Sequence, residues 1–483
     1  NERNTRRKNS SHADSKGCIM LDAAIVLLTG LTLWTAWKRG PNAAVGFAAA
    51  TSLLGPVWLS REIFGQPIDI RLAVVGAALV MYCVHRRSVF RARPIALDYA
   101  MMALVGVHLL SDWTISGFSF GVIVRAYGEW GLMYLAGRVT VQSLEDARDV
   151  LPFVVVSASA LAALAMIESV AGINLFETLV GARPVDGTPR DAMRWGLKRA
   201  FGPTRHPIYL GTLLLLLLPW LVYAASRARR KAGPGWWVLT PVLGVAGILA
   251  SGSRAPIVAV PVLFYVAALL RLPQWRKPLI GVGCVAVLLT ALMPSLVLEG
   301  LHQWSGEKRG ATVKVDGNDR EFTATLNRIR ILEIYRPAMN RAGLLGFGTE
   351  ATTGFPLNVP VGPQHIGTLK KIRFIDNAFV LILLRFGWLG LAAFTTVGVL
   401  VVVNQAKMAV APRAQGRLFA ATLAGATAAL MLILMTVWLP KDFCVLFLWT
   451  AGATAGRYSR FEQKFQPSLV KAQRDDPPMR AAA

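Results

Sequence analysis

A short polar segment near the middle of the chain combines arginines with the start of an apolar stretch. Residues 198–207 contain Arg199, Arg205 and His206 ahead of Pro207. Proline suits the first turn of a helix, because its missing N–H would have no partner there. Guanidinium groups beside the unpaired N–H groups of a helix start are typical of a phosphate or pyrophosphate site. The segment therefore predicts an anion-binding helix start, with a plain interfacial role for each arginine as the alternative.

A second segment repeats this arrangement. Residues 251–256 place Arg254 two positions before Pro256, and a long polar segment, 296–376, contains Arg328. If these parts of the chain share one face of a membrane, their arginines meet in one layer. Arginines that face one place repel each other until an anion neutralises them. A multivalent anion is the predicted partner of this layer.

Three residues are candidates for proton transfer beside the arginines. Asp376 stands where the long polar segment meets the next apolar run, so it could act as a general base; the alternative is an N-cap for the helix that follows, and the two roles are compatible. His206 could donate to a phosphate or act as a base, with a plain interfacial role as its alternative. His365, in the long polar segment, is a third candidate base.

The composition of the chain is that of a membrane protein. Of its 483 residues, 54% are hydrophobic and 16% are charged, and the apolar residues form long uninterrupted runs. A helix needs roughly 20 apolar residues to cross the hydrocarbon of a bilayer. About thirteen runs are candidates and several are short, so the sequence predicts an all-α polytopic membrane protein of about 12–14 transmembrane helices.

The basic residues concentrate in short loops between the apolar runs. A net charge of +25 would favour a nucleic-acid partner for a soluble protein, but in this chain the positive-inside rule explains it. The loops predicted to be cytoplasmic are 86–93, 227–231, 271–277 and 407–417. Segments 173–206 and 296–376 are then external. The basic residues of segment 1–17 conflict with this arrangement, so either one span is miscounted or the leading segment is not native.

The predicted organisation divides the chain into six parts. They are a polar N-terminal segment (1–17), N-terminal transmembrane helices with the first external loop (18–206), core transmembrane helices (207–295), a large periplasmic loop (296–376), C-terminal transmembrane helices (377–456) and a disordered cytoplasmic tail (457–483). Within the large loop, the apolar spacing of residues 327–336 predicts a helix.

Other charged and sulfur-bearing residues give weaker patterns. Arg125 and Glu129 are four residues apart within one apolar run, which predicts a structural ion pair, with a contact to a lipid phosphate as the alternative. Glu168 lies near the outer end of another span. The four cysteines and six histidines show no metal-ligand spacing, so we expect neither a disulfide framework nor a metal site. No nucleotide-binding motif follows a strand pattern.

Taken together, these motifs resemble the O-antigen ligase and O-antigen polymerase superfamily of bacterial membrane glycosyltransferases. The resemblance covers roughly residues 195–400. The matching pieces, in chain order, are Arg199 with Gly202-Pro203 and His206-Pro207, the turn Ser251-Gly252-Ser253-Arg254, Arg328 ahead of Leu345-Gly346-Phe347-Gly348, and Asp376-Asn377 ahead of Gly387 and Gly390.

This resemblance implies a fold and a reaction. The fold would be an all-helical, GT-C-like transferase that acts at the periplasmic face of the inner membrane without a metal or other cofactor. The donor would be a glycan on undecaprenyl pyrophosphate, and a hydroxyl of a glycan or lipid would be the acceptor. Arg199 and Arg254 would hold the pyrophosphate, and Arg328 would assist. Many ligases have a histidine where this chain has Asp376, which leaves a polymerase or another acceptor open. A transporter of an anionic or lipid-linked substrate is the alternative from another class.

Overall fold

The computed structural model of this chain is almost entirely helical. It describes residues 23–24, 26–58, 60–63, 66–85, 93–181, 191–293, 299–300, 303, 312–315, 318–321, 324–351, 375–412 and 415–475. Three parts of the sequence-based predictions, the polar segment 1–17, Cys18 and His365, lie outside these ranges. The predicted all-α class is confirmed.

The helices follow one another along the chain with short connections. Their bounds are α1 (26–39), α2 (Pro41–Ser52), α3 (Ile70–His85), α4 (Ala96–Ser116), α5 (Phe120–Ala126), α6 (Leu132–Thr140), α7 (Leu144–Ala171), α8 (Leu175–Val180), α9 (Pro207–Arg229), α10 (Thr240–Ala250), α11 (Arg254–Arg271), α12 (Arg276–Leu292), α13 (Ala324–Arg341), α14 (Gly348–Ala351), α15 (Ala378–Val410), α16 (Arg417–Leu434) and α17 (Lys441–Asp475). A π-helical turn, Tyr127–Gly131, joins α5 to α6.

Strands are confined to small antiparallel hairpins in the described ranges. They are β1 (Ser60–Ile63) with β2 (Gln66–Asp69), β3 (Met193–Arg194) with β4 (Leu197–Lys198), and β5 (Thr312–Val315) with β6 (Asn318–Glu321). The β3–β4 hairpin has the register Met193 to Lys198 and Arg194 to Leu197. It immediately precedes the polar segment that leads into α9.

Six of the described helices are long and apolar enough to cross a membrane. They are Leu144–Ala171, Pro207–Arg229, Arg254–Arg271, Pro273–Leu292, Ala378–Val410 and Arg417–Leu434. Other predicted spans fall on helices that are shorter or more polar, such as α2 with 12 residues and α10 with 11. These helices pack in the same bundle, which is that of a polytopic membrane protein.

Helix α9 occupies the centre of the bundle. The leucines at 213–218 are all buried, as expected for a helix that is apolar on every side. Trp220 of α9 contacts Phe419 of α16 edge-on, with ring centroids 4.7 Å apart, and its centroid lies 5.2 Å from that of Trp449 in α17. Because neighbours surround α9, its N-terminus is held at a fixed place in the bundle.

Helices α6 and α17 approach each other through glycines. A Cβ at Gly137 would lie 2.0 Å from the Trp449 carbonyl oxygen, and a Cβ at Gly452 would lie 1.9 Å from the Tyr134 carbonyl oxygen. Larger side chains cannot fit at either position. Small residues at helix crossings are the usual means of close packing in membranes.

Basic segments meet at one end of the bundle, which we name the basic face. Arg138 in α6 donates to Asp98 Oδ1 at 3.0 Å and to the Arg93 carbonyl at 3.1 Å. Ser459 in α17 donates to the same Arg93 carbonyl at 3.2 Å. Residues near 93 and the part of the chain after 457 therefore share one face, as the charge pattern predicts.

Helix α17 begins at the other end, which we name the arginine face. There Asp442, in its first turn, contacts Arg205, which precedes α9. Helix α17 itself continues to Asp475, so the predicted disordered tail from 457 is helical as far as that residue. Its sequence contains helix-favouring glutamine, lysine and arginine residues, which extend the helix beyond the apolar part.

Helix α15 is kinked at a glycine that the sequence analysis singled out. Gly387 has φ 63° and ψ −165°, a conformation that other residues adopt at a cost. A Cβ there would lie 2.3 Å from the Leu344 carbonyl oxygen. At the kink, the Trp388 N–H donates to the Gly343 carbonyl at 3.1 Å. The glycine-rich segment after α13 is thus inserted against α15, and the two distant motifs form one unit.

Candidate functional site

Three arginines from separate parts of the chain lie together at the arginine face. We call Arg194, Arg199 and Arg254 the arginine cluster. Arg199 Nη2 donates to Ser253 Oγ at 3.2 Å, and Arg194 Nη1 donates to the Gly252 carbonyl at 2.7 Å. Arg254 is the first residue of α11 and lies within electrostatic range of Arg199. Arg194 and Arg199 from the segment before α9 and Arg254 at the start of α11 therefore lie together at the turn between α10 and α11.

The starts of α9 and α11 adjoin each other, as predicted. Pro207 is the first residue of α9. Pro256 is the third residue of α11, because Arg254 already has helical geometry; the predicted helix start at Pro256 is therefore two residues too late. A Cβ at Gly211 would lie 2.8 Å from Ser251 Oγ and 2.9 Å from Pro256, so the first turns of the two helices pack directly together.

The electrostatics of the arginine cluster favour an incoming anion. Arg199 lies outside the membrane-spanning helices. Burial first, and then the positive charges of Arg194 and Arg254, lower its pKa below that of an ordinary arginine, to about 10. Its Nε is buried and makes no hydrogen bond to any residue in the described ranges. A buried donor without an acceptor is costly. A negatively charged ligand would accept a hydrogen bond from this Nε–H and would reduce the repulsion among the three arginines.

A buried carboxylate that the sequence analysis noted without a role holds the Arg199 segment. Glu168, in the last turn of α7, is 3% exposed. Its Oε2 accepts the N–H groups of Phe201 at 3.1 Å and Gly202 at 2.8 Å. Its Oε1 accepts from Asn174 Nδ2 at 2.9 Å. Glu168 therefore binds the backbone immediately after Arg199.

Further backbone contacts fix the same segment on both sides. Ser169 Oγ donates to the Lys198 carbonyl at 2.8 Å, and the Ala200 N–H donates to the Ala250 carbonyl at 3.0 Å. The first contact comes from α7 and the second from the end of α10. Arg199 thus stands on a segment tied to two helices, so its guanidinium is held in place before any ligand arrives.

Arg205 has a structural partner instead of a place in the arginine cluster. Its Nη2 lies 3.0 Å from Asp442 Oδ2, and its backbone N–H donates to Asp442 Oδ1 at 2.8 Å. Asp442 is fully buried, whereas the Arg205 side chain is 29% exposed. The sequence predicted Arg205 among the pyrophosphate ligands, because nothing in the local sequence reveals a carboxylate 237 positions away. Since its described ion-pair partner is Asp442, we do not include Arg205 in the arginine cluster.

His206 caps the helix that begins after it. Its Nδ1 accepts the Ile208 N–H at 3.1 Å. Because Nδ1 serves as an acceptor, the proton of the neutral ring is on Nε2. His206 is therefore arranged to donate through Nε2, and its lone pair is already engaged.

Asp376 is not the N-cap of α15; that position belongs to Asn377. The Asn377 side chain accepts the Val380 N–H at 3.1 Å and donates to the Met435 carbonyl at 3.0 Å. Asparagine suits this position as well as aspartate does. The carboxylate of Asp376, which is half-buried, is therefore not needed to cap the helix.

A chain of contacts joins the start of α15 to His206. The Ala378 N–H donates to the Val437 carbonyl at 3.1 Å. Next to Val437, Trp438 hydrogen-bonds through Nε1 to the Tyr209 hydroxyl. The Tyr209 ring lies 5.1 Å from the His206 ring, centroid to centroid. The connection between α16 and α17 therefore bridges the two candidates for proton transfer.

Arg328 lies on a helix that covers the start of α15. The predicted helix at 327–336 is confirmed as part of α13. Its buried face contains Ile331, Tyr335 and Ala338, which pack with Val380 and neighbouring residues of α15. Arg328 precedes these residues at helical spacing and is partly buried. The contacts described here join Arg199 to Arg194 and Arg254, whereas Arg328 belongs to the cover over α15.

The predicted ion pair between Arg125 and Glu129 is wrong. Arg125 Nη1 lies 3.6 Å from Asp112 Oδ2, and Glu129 Oε1 lies 3.7 Å from Lys441 Nζ. Glu129 lies inside the π-helical turn, and the wider geometry of that turn changes its angle relative to Arg125 from that of a regular helix. Sequence spacing alone assumes a regular helix and so misassigned both partners.

Sequence reasoning also missed Arg194. This residue belongs to a hairpin with two residues per strand, whose tip is Trp195-Gly196. Both tip residues have positive φ, as in a tight hairpin turn. The glycine at 196 was the sequence signal for this hairpin turn.

Among the described residues, no group of three or more His, Cys, Asp and Glu side chains could hold a metal ion.

Comparison with known proteins identifies the class of this domain. Residues 239–395 match the family model described as O-antigen ligase. The match includes Arg254, Arg328 and Asp376, whereas Arg199 precedes it. This part of the chain is similar to the O-antigen ligase family, and the match confirms the resemblance to the ligase and polymerase superfamily.

Other comparisons add little to this assignment. A solved structure titled "Structural coordination of polymerization and crosslinking by a peptidoglycan synthase complex" is 17% identical and covers 77% of this chain and 98% of that chain, with a TM-score of 0.38. No curated protein sequence matches the chain. The family match and the apolar helices indicate a bacterial inner membrane protein with an O-antigen ligase-like or polymerase-like role in surface polysaccharide assembly.

Proposed function

We propose that this protein is a membrane glycosyltransferase. It moves a glycan from undecaprenyl pyrophosphate to an acceptor hydroxyl during surface polysaccharide assembly, as a ligase or as a polymerase. The family match at 239–395 supports this class of reaction. The reaction takes place at the arginine face, on the periplasmic side of the membrane, and the concentration of basic residues at the opposite end of the bundle supports this orientation.

The arginine cluster is the observation that carries this proposal. Arg194, Arg199 and Arg254 come from a hairpin, a helix-entry segment and a helix start, and they converge on the turn before α11. A pyrophosphate is a good leaving group once its charge is neutralised, and fixed guanidinium groups can supply that neutralisation without a metal ion. Arg199 and Arg254 hold the pyrophosphate, and Arg194 adds a third positive charge.

Arg328 has a secondary role in this proposal. It lies on α13, which covers the start of α15, so it would assist only after the donor has entered beneath α13.

The hydrogen bonds that hold the Arg199 segment before any ligand binds mean that the donor meets a site whose geometry is already set. Such preorganisation reduces the entropic cost of reaching the transition state.

Proton transfer is assigned to Asp376, with help from His206. The Asp376 carboxylate accepts the proton of the acceptor hydroxyl, while Asn377 supplies the cap of α15. His206 donates from Nε2 to an oxygen of the substrate, because its Nδ1 is engaged with the Ile208 N–H. The two residues lie at either end of the contacts through Trp438 and Tyr209.

Deletion of the gene tests the proposed function in the cell. We expect surface polysaccharide to lose its long chains or its attachment, and a glycan on undecaprenyl pyrophosphate to accumulate. Complementation with the wild-type chain should restore the polysaccharide, and complementation with Arg254→Ala should not. Normal surface polysaccharide together with a defect in solute uptake would instead support the transporter alternative.

A further inference from the structure

A carboxylate that the proposed reaction does not use is buried in α4. Asp112 is 1% exposed, and His108, one turn earlier, is fully buried. Helix α4 begins close to Arg93 at the basic face, so Asp112, near its other end, lies towards the arginine face. Arg125 Nη1, 3.6 Å from Asp112 Oδ2, offsets the charge. A buried charge in a membrane helix is costly and is usually tied to function.

Asp112 holds the segment that follows the helix α13. Its Oδ1 accepts the N–H of Thr349, in the first turn of α14, at 2.6 Å. A Cβ at Gly348 would lie 3.2 Å from the same oxygen, so the start of α14 packs directly on α4. A hydrogen bond to an ionised acceptor is stronger than one between neutral groups. Asp112 therefore fixes the chain shortly after α13 ends.

The donors that face Asp112 require a carboxylate at this position. Trp130 Nε1 donates to His108 Nδ1 at 2.9 Å, and an indole N–H can only donate. The proton of His108 is therefore on Nε2, which lies 3.2 Å from Asp112 Oδ2. Both oxygens of Asp112 thus act as acceptors, one for Thr349 and one for His108. An amide side chain has a single acceptor atom, so asparagine could satisfy only one of these donors.

The residue next to Asp112 completes the kink of α15. In a regular helix the Arg385 carbonyl would accept from Leu389. Beyond the kink, however, the Leu389 N–H donates to the Leu344 carbonyl at 3.2 Å. The Arg385 carbonyl accepts instead from Ser111 Oγ of α4 at 2.8 Å. The kink therefore depends on hydrogen bonds from both α4 and the segment after α13.

Segment 343–349 contacts α4 and α15 at once. The Phe347 N–H donates to the Leu384 carbonyl of α15 at 2.7 Å, two residues before Thr349 contacts Asp112. Buried backbone groups without partners are costly. Displacing the segment from α4 would therefore also disturb its hydrogen bonds to the kink.

The anchored segment lies at one end of α13, and Arg328 lies towards the other. At 1.5 Å per residue, Arg328 is about 20 Å from the end of α13 at Arg341. A tilt of about 3° at the anchored end would then move Arg328 by about 1 Å. The packing of α13 on α15 is apolar and non-directional, so the hydrogen bonds of segment 343–349 set the angle of α13.

We propose that Asp112 is a positioning residue for the transfer reaction. It holds segment 343–349 against the kink of α15, and so keeps α13 and Arg328 in place over the start of α15. Asp112 precedes residues 239–395, which match the family model, so the inference extends the functional unit to α4. The effect on transfer rests on the proposed function, because it requires that Arg328 assists the reaction. The anchoring of α13 does not.

Hydrogen–deuterium exchange of the full-length protein tests the anchor without any substrate. In D112N one donor loses its acceptor, so the amides of segment 343–349 should exchange about tenfold faster or more. S111A removes a neutral donor and should raise exchange of the same segment by less. D98N is the matched control, because Asp98 lies on the same helix but pairs with Arg138 at the basic face; it should leave the segment at the wild-type rate. Wild-type exchange in folded D112N and S111A, or an equal rise in D98N, would overturn the proposal.

Steady-state transfer tests whether Asp112 acts through Arg328. D112N should lower kcat/KM by about tenfold, and by no more than R328A does. In the R328A background D112N should cause little further loss, because no guanidinium remains to be positioned. Losses that multiply in the double variant would overturn the positioning role. If the wild type transfers no glycan but D112N still speeds exchange of segment 343–349, the proposed function fails and Asp112 remains the anchor of α13.

Discussion

The Gly202 N–H donates to Glu168 Oε2 at 2.8 Å, and this bond ties the segment that carries Arg199 to the end of α7. The same oxygen accepts from Phe201 at 3.1 Å, so one carboxylate oxygen holds two successive backbone N–H groups. A carboxylate that is 3% exposed and has this role is a support for the arginine cluster and not a general acid or base. The arginine cluster therefore depends on α7 as well as on the helices within residues 239–395, which match the family model.

Removing the Glu168 carboxylate should displace Arg199. In Glu168→Ala, two buried N–H groups lose their acceptor, at a cost of about 1 to 3 kcal/mol each. A shift of about 1 Å in a binding group can lower turnover by about a hundredfold. We expect that scale of loss in glycan transfer together with a lower midpoint in a denaturation series. Asp149→Asn, at an exposed site on the same helix, is the control and should match the wild type. Unchanged transfer by Glu168→Ala would remove its supporting role.

Arg205 and Asp442 should affect folding more than catalysis. Asp442 is fully buried, so removing Arg205 leaves an uncompensated buried charge, which costs about 3 kcal/mol or more; removing Asp442 leaves an arginine that is 29% exposed and costs less. Both Arg205→Gln and Asp442→Asn should lower the folded fraction in a detergent denaturation series, and the double variant should lose less than the sum of the two. The folded fraction of Arg205→Gln should retain transfer activity. Loss of donor affinity in that fraction would return Arg205 to the pyrophosphate site.

Asp376 and its neighbour Asn377 should separate catalysis from capping. Asp376→Asn removes the proposed base and leaves the Asn377 cap in place, so kcat should fall strongly while stability stays within about 0.5 kcal/mol. Asn377→Ala should cost about 1 kcal/mol of stability through loss of the cap. Rates and denaturation midpoints of both variants provide the comparison. A fully active Asp376→Asn variant would mean that another group accepts the proton.

Anion binding should depend on pH through Arg199. Its pKa of about 10 lies below that of an ordinary arginine, so folding disfavours the charged form. Arg199 therefore reduces stability below pH 10, and this cost fades as the pH rises above 10 towards the pKa of an arginine in the unfolded chain. Affinity for an anion changes with the charge, so the binding of inorganic pyrophosphate should weaken as the pH rises through about 10. Isothermal titration of wild type and Arg199→Gln would measure this. An identical pH profile in the variant would exclude Arg199 as the titrating group.

Local sequence patterns predicted the helices and the entry points of the site. Pro207 marks the first residue of α9, and the turn before Arg254 leads into α11, because the chemistry of a helix start depends on adjacent residues. The motifs around Gly346 and Gly387 also proved to be one structural unit, since both glycines are needed where two backbones touch. The two helix starts can be inferred from adjacent residues, whereas the contact between the two glycine motifs joins positions 41 apart and was found only in the structure.

Partners that come from distant parts of the chain could not be predicted in this way. Arg205 pairs with Asp442, and Glu168 binds residues more than thirty positions away, yet nothing near either residue indicates the partner. The Arg125 pairing failed for a different reason, because a π-helical turn changed the angle between neighbouring positions. Tertiary packing determines which groups pair with a buried charge, and sequence spacing predicts such pairs only within regular helices.

Transfer by the purified protein tests the central claim most directly, which is that the arginine cluster binds a diphosphate leaving group. Proteoliposomes containing the wild type, Arg199→Ala, Arg254→Ala or the exposed control Arg229→Ala would receive a glycan on undecaprenyl pyrophosphate and an acceptor. We predict transfer by the wild type and by Arg229→Ala, and none by the two cluster variants, although all four insert and fold alike. Full transfer by Arg199→Ala and Arg254→Ala would contradict the account.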